Sequence, residues 1–193
     1  MGKRLATLVD ATQYNEKLAD CDACEIYEQC HLKSKMATCE IGKNYREGGI
    51  MLIGEGPGVT EVSQRRPFVG NSGRLLNALL QAAHIERDDC WLTNATLGLP
   101  PKEAWTSVKG KSFPKRFPNA IYACLPRLDD EIERAKPRVI VTLGLGALYA
   151  IAGHEVSRQK LVKFDCDACN PQRKVGPALV CATGGCNWHR MVP

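Results

Sequence analysis

The chain has 193 residues, 44% of them hydrophobic and 24% charged, and a formal net charge of +5. This is ordinary globular composition, most simply one domain over 1–193, and the mild positive excess permits a polyanionic partner without demanding one. No apolar run approaches the about eighteen residues of a membrane span, and Met1-Gly2-Lys3-Arg4 opens without the apolar core of a signal peptide.

Residues 1–48 form a cysteine-rich N-terminal segment, with a helix expected around Tyr14 to Ala19. An α/β core is expected over 49–155. Its first strand is 50–54, where Ile50-Met51-Leu52-Ile53 has the length of a buried strand. A helix follows at 72–84, with Leu75, Leu76, Leu79, Leu80 and Ala83 on one face. A second strand is expected at 89–94 and a long loop at 98–118. That loop carries Lys102, Lys109, Lys111, Lys115 and Arg116 among Trp105, Phe113 and Phe117, a pattern in which cations meet phosphates and aromatics stack on bases. The helix at 119–135 places Ile121, Cys124, Leu125, Leu128 and Ile132 on one face. A third strand at 138–143 and a Gly/Ala-rich helix at 145–152 complete the core, and a cysteine-rich tail occupies 156–193. Strands alternating with helices predict an α/β fold with a mainly parallel sheet.

The most informative stretch is Gly54-Glu55-Gly56-Pro57-Gly58. Glycines directly after a buried strand leave bare backbone at the carboxyl edge of the sheet, where open α/β folds bind ligands. The turn does not match a dinucleotide fingerprint, since Pro57 and a polar linker precede the helix. It does not match a P-loop, since no Gly-Lys-Ser/Thr follows.

Further motifs follow in order: Arg66-Pro67-Phe68-Val69-Gly70-Asn71-Ser72-Gly73, then Trp91-Leu92-Thr93-Asn94, then Pro137-Arg138-Val139-Ile140-Val141-Thr142-Leu143-Gly144. Together with the glycine turn, this series resembles the uracil-DNA glycosylase superfamily, most closely its iron–sulfur branch (family four, with the related family five). The resemblance runs from about Cys21 to about Gly153 and fades beyond. It implies a three-layer sandwich, DNA as partner, and excision of uracil or a related base by hydrolysis after base flipping.

By the same resemblance, Gly54, Gly56, Pro57 and Gly58 border the base, Glu55 and Glu61 attend the attacking water, and Phe68 stacks on the flipped base. Asn94 offers one donor and one acceptor, matching uracil's O4 and N3–H, whereas cytosine presents the reverse pattern. The family's last motif, a His-Pro-Ser loop whose histidine donates to the leaving base, is absent. Here the chain reads Thr183-Gly184-Gly185-Cys186-Asn187-Trp188-His189, so His189 is the candidate for that role and Trp188 for a DNA wedge. The chain stops at Pro193, where the family continues with a helix. This implies either a piece of a longer replication or repair protein or a shortened fold.

Ten cysteines without an export signal are expected in a reducing, cytoplasmic setting, as thiols or metal ligands. The resemblance implies a [4Fe–4S] cluster, with Cys21, Cys24 and Cys124 matching three of its ligands. Gly98 stands where the remaining ligand belongs. Cys30 and Cys39 are the nearby replacements, and the compact spacing Cys21-x2-Cys24-x5-Cys30 favours Cys30. The same four thiolates suit Zn2+ as well. Spacing alone marks a second candidate site, Cys166-x2-Cys169-x11-Cys181-x4-Cys186, ribbon-like, with His189 as an alternative to Cys186. Cys90 reads as a packing residue in a strand. Two other functions compete with uracil excision: a non-catalytic module binding DNA or protein, and an enzyme for another modified nucleobase.

Overall fold

The computed structural model describes residues 19–28, 36–101 and 118–152. Four strands form one sheet: β1 (Glu40–Ile41), β2 (Ile50–Gly54), β3 (Cys90–Asn94) and β4 (Val139–Leu143). Their order is β1-β3-β2-β4. β2 pairs in parallel with β3, from Ile50 opposite Cys90 to Gly54 opposite Asn94, and with β4, from Ile50 opposite Val139 to Gly54 opposite Leu143. β1 lies antiparallel on the outer side of β3, with Glu40 opposite Leu92. The sheet is therefore mainly parallel, and the unbroken apolar run of β2 reflects a strand covered on both faces.

Alternation along the strands separates two cores. Met51, Ile53, Trp91 and Ile140 face one way. They pack on Ile121, Leu125 and Leu128 of α3 (Pro118–Ala135) and on Ala147 and Ala150 of α4 (Leu145–Ala152). The small side chains of α4 let it sit close to α3. Leu52, Cys90 and Leu92 face the other way, onto Phe68 and onto Leu76 and Leu80 of α2 (Asn71–Ala82). The result is a three-layer α/β sandwich. Cys90 is wholly buried in this second layer.

Two local expectations are corrected. The polar linker after the glycine turn is a short helix, α1 (Val59–Gln64), opened by Gly58 and closed by Arg65 at φ 51°. Its polar side chains hid it, because the helix is too short to show an apolar period. On α2 the apolar face is narrower than the sequence suggests: Leu76 and Leu80 are buried, whereas Leu75 and Leu79 are 63% and 57% exposed. The row that meets Leu52, Cys90 and Leu92 of the sheet is that of Leu76 and Leu80.

The cysteine-bearing 3-10 turn Cys21–Ala23 docks on α3. Asp20 N donates to Ala123 O at 2.8 Å. This contact brings the turn to the part of α3 that bears Cys124. The predicted helix around Tyr14, the basic loop segment 102–117 and the tail from 153 onward lie outside the described residues.

Candidate active site and cysteine cluster

Gly54 and Asn94 end adjacent parallel strands in register, at the carboxyl edge of the sheet. Both are buried. A side chain at Gly54 would collide with Asn94 Oδ1 and, at 2.7 Å, with Phe68 Cζ. The absence of a Cβ at Gly54 thus lets the Asn94 amide and the Phe68 ring converge on one point. No hydrogen bond joins the Asn94 side chain to another described residue, so among these residues its donor and acceptor are uncommitted.

Phe68 sits in the left-handed region, at φ 52°, which a bulky side chain adopts only when its surroundings impose it. Three restraints impose it. Gly73 of α2 allows the Phe68 carbonyl to lie directly against the helix, where a Cβ would overlap it. Glu61, buried on α1, accepts from Val69 N at 3.0 Å and Gly70 N at 2.7 Å, both through Oε1. Arg87 donates from Nη2 to Pro67 O at 2.8 Å and from Nη1 to Phe68 O at 3.2 Å.

Arg87 is itself anchored. Glu40 of β1 pairs with it at 2.7 Å and with Arg66 at 2.7 Å. Burial by itself would raise the Glu40 carboxyl. The hydrogen bonds and charges of Arg66 and Arg87 outweigh burial and hold it at about 2. Glu61, expected near the water, thus has one oxygen engaged by the Phe68 turn.

The glycine turn is tied to the strand beside it. Ala95 N donates to Gly54 O at 2.8 Å and Thr96 N to Glu55 O at 3.1 Å. A Cβ at Gly56 would meet Thr96 Oγ1 at 2.7 Å, and Pro57 is fully buried. A Cβ at Gly58 would meet Glu61 Oε2 at 2.7 Å. Glu55 reaches across to the end of β4, where Gly144 turns at φ +101° around its carboxylate. Gly146 N, in the first turn of α4, donates to Glu55 Oε1 at 2.7 Å.

Behind this edge lies a buried ion pair that the sequence reading missed. Arg127 and Glu131 of α3 are both wholly buried and 3.0 Å apart. Arg127 Nη1 also donates to Thr93 Oγ1 at 3.1 Å. Nη2 donates to Asn94 O at 2.8 Å and Ala95 O at 3.0 Å, while Nε meets no acceptor among the described residues. Glu131 Oε2 accepts from Trp91 Nε1 at 3.4 Å. The available signal was an i,i+4 pair of opposite charges inside the apolar stripe of a helix. Arg87 and Glu40 carried no comparable signal, being 47 residues apart.

Cys21, Cys24 and Cys124 come within electrostatic range of one another. The Cys21 thiol is pushed up to about 11, first by burial and then by its Cys124 and Cys24 neighbours. Burial also raises Cys124, against the opposing pull of Arg127 and the Leu97 N–H. Gly98, the position without a thiol, bridges Met36, and Ala37 N donates to Leu97 O at 3.0 Å, so the segment leading to Cys39 passes beside it. Among the described residues no three His, Cys, Asp or Glu side chains are gathered closely enough for a single metal ion. Cys30, His189, Cys166, Cys169, Cys181 and Cys186 lie outside the described residues.

A family model for the uracil DNA glycosylase superfamily matches residues 43–186. A type-4 uracil-DNA glycosylase of Pyrobaculum aerophilum is 31% identical over 163 residues, covering 82% of this chain and 74% of that protein. The type-4 enzyme of Thermotoga maritima is 32% identical over 148 residues, covering 76% and 69%. That of Sulfurisphaera tokodaii is 34% identical over 120 residues, 61% of this chain, and the match spans about half of that relative's length, 49%. No described helix is long and apolar enough to cross a membrane. With the three-layer sandwich, the glycine turn and Asn94 at the sheet edge, these matches establish that the chain belongs to the uracil-DNA glycosylase superfamily.

Proposed function

We propose that this protein hydrolyses the bond between uracil and deoxyribose in DNA after the nucleotide has left the stack. The convergence of Asn94 and Phe68 over Gly54 carries the reading. It supplies a flat apolar surface and an amide uncommitted among the described residues in one place, at the ligand-binding edge of the sheet. The ring of Phe68 stacks on the base. The Asn94 amide donates to uracil O4 and accepts from N3–H, an arrangement that cytosine cannot satisfy, leaving buried polar groups unpaired. Thymine shares uracil's hydrogen-bonding edge, so its exclusion depends on space around the methyl group.

Departure of uracil develops positive charge on the sugar and negative charge on the base. Backbone N–H groups of the Gly54–Gly58 turn border the base as preorganised donors. Glu55 offers Oε2 to the attacking water, with Oε1 held by Gly146 N. Glu61 keeps the Phe68 turn in place. His189 is the proposed donor to the leaving base.

Cys21, Cys24 and Cys124 would hold a [4Fe–4S] cluster, with Cys30 or Cys39 supplying the thiolate missing at Gly98. Three thiols near one another suit such a group, whose four ligands stand farther apart than those of a single ion. Bound there, it would cross-link the N-terminal segment to α3 and take no part in the chemical step. Zn2+ is the candidate occupant of the Cys166, Cys169, Cys181 and Cys186 set. The sequence Gly184-Gly185-Cys186, in place of a His-Pro-Ser loop, favours a second reading, a DNA-binding member without excision activity.

The deciding assay uses anaerobically purified protein and a uracil-containing oligonucleotide, single-stranded and paired with guanine, followed by alkali. Strand scission at uracil that disappears in Asn94→Ala supports excision. Folded protein that binds the DNA without scission supports the second reading.

A further inference from the structure

The end of β3 has a shape that strand pairing alone does not produce. In extended backbone, successive carbonyls point to opposite sides. Here the carbonyls of two successive residues, Asn94 and Ala95, reach the same nitrogen, Arg127 Nη2, at 2.8 and 3.0 Å. On the other edge, Ala95 N and Thr96 N remain bonded to Gly54 O and Glu55 O. The chain therefore turns at Asn94 around a guanidinium. That guanidinium is fixed in turn by Glu131 Oε1 at 3.0 Å and Thr93 Oγ1 at 3.1 Å.

A wholly buried ion pair is a weak device for stability, since apolar replacements of the same volume often do as well. This pair does something an apolar pair cannot: it binds two carbonyls. We infer that Arg127 is a positioning residue for base recognition, gathering the Asn94 and Ala95 carbonyls so that the Asn94 amide meets the base at a set angle. Cys124 lies three residues earlier on the same helix, so the cysteine cluster and the base-reading strand end share one anchor. The inference rests on the reading of Asn94 as the residue that recognises uracil.

The test separates base recognition from DNA binding. Probes are duplexes carrying 2′-fluorodeoxyuridine, whose fluorine disfavours positive charge on the sugar and blocks cleavage, or a tetrahydrofuran abasic site. The ratio of their Kd values, read by fluorescence anisotropy, isolates the contribution of the base. Two variants are used: Arg127→Lys, and Arg127→Met with Glu131→Gln, which removes both charges and leaves an acceptor for Trp91. Both are expected to lose about tenfold or more of the ratio while binding abasic DNA within about twofold of the wild type.

A wild-type ratio in both folded variants, with Asn94→Ala abolishing it, would overturn the positioning role alone. Equal losses on both probes would also overturn it, as general damage. A wild-type protein with no preference for the uracil probe would remove the reading of Asn94 and this inference with it.

Discussion

Arg87 carries the backbone of Phe68: its Nη1 donates to the Phe68 carbonyl at 3.2 Å while Glu40 holds the other side of the guanidinium. A left-handed Phe costs roughly 1–2 kcal/mol relative to ordinary backbone, so the turn persists only while such contacts exceed that cost. Arg87→Ala is expected to destabilise the protein by about 1–3 kcal/mol and to lower kcat/KM for uracil excision. Urea denaturation and steady-state kinetics would show both.

The same network has a pH signature. The Glu40 carboxyl is depressed from 4.5 to about 2 by Arg66 and Arg87 acting against burial. Its contribution is thus complete above about 4.5 and is lost as pH falls toward 2. Denaturation midpoints of wild type and Glu40→Gln should differ at pH 6 and converge toward pH 2.5. A constant difference across this range would rule out the linkage.

Gly54→Ala places a methyl group where the Phe68 ring and the Asn94 amide converge, with Phe68 Cζ at 2.7 Å. The expected result is a fall in excision on the order of a hundredfold, since displacements of about 1 Å in a site have that effect. Binding of abasic DNA should change far less.

Glu131→Ala leaves Arg127 charged, buried and without its counter-ion. Removal of one partner from such a pair costs about 3–5 kcal/mol, so the expected outcome is a marked drop in Tm. The neutral double variant Arg127→Met with Glu131→Gln should recover a large part of it. Calorimetry on the three proteins makes the comparison.

Iron content and visible absorbance test the cysteine assignments. Cys21→Ser and Cys124→Ser are each expected to release iron from anaerobically prepared protein. Comparison of Cys30→Ser with Cys39→Ser identifies the thiolate that stands in for Gly98. Full retention of iron and chromophore in all four would refute the cluster at this site.

Much of the framework was legible because it depends on local pattern. Ile50-Met51-Leu52-Ile53 reads as a buried strand from its run of apolar residues, and the glycines after it mark the edge where ligands bind. The strands at β3 and β4 and the helix over Ile121–Ile132 follow from the same periodicities. What tertiary structure alone decided are relations between distant positions. Leu75 and Leu76 are chemically alike, and only the face on which α2 meets the sheet exposes one and buries the other. The Phe68 turn depends on Glu61, which the sequence marks only for the water, and on Arg87 and Glu40, which no motif singles out. Arg127 looks misplaced within an apolar helix face until β3 ends against it with two carbonyls to satisfy. A sequence displays burial through periodicity. It does not display which buried polar group another segment will need, because that demand arises only when the backbone ends of separate strands are brought together.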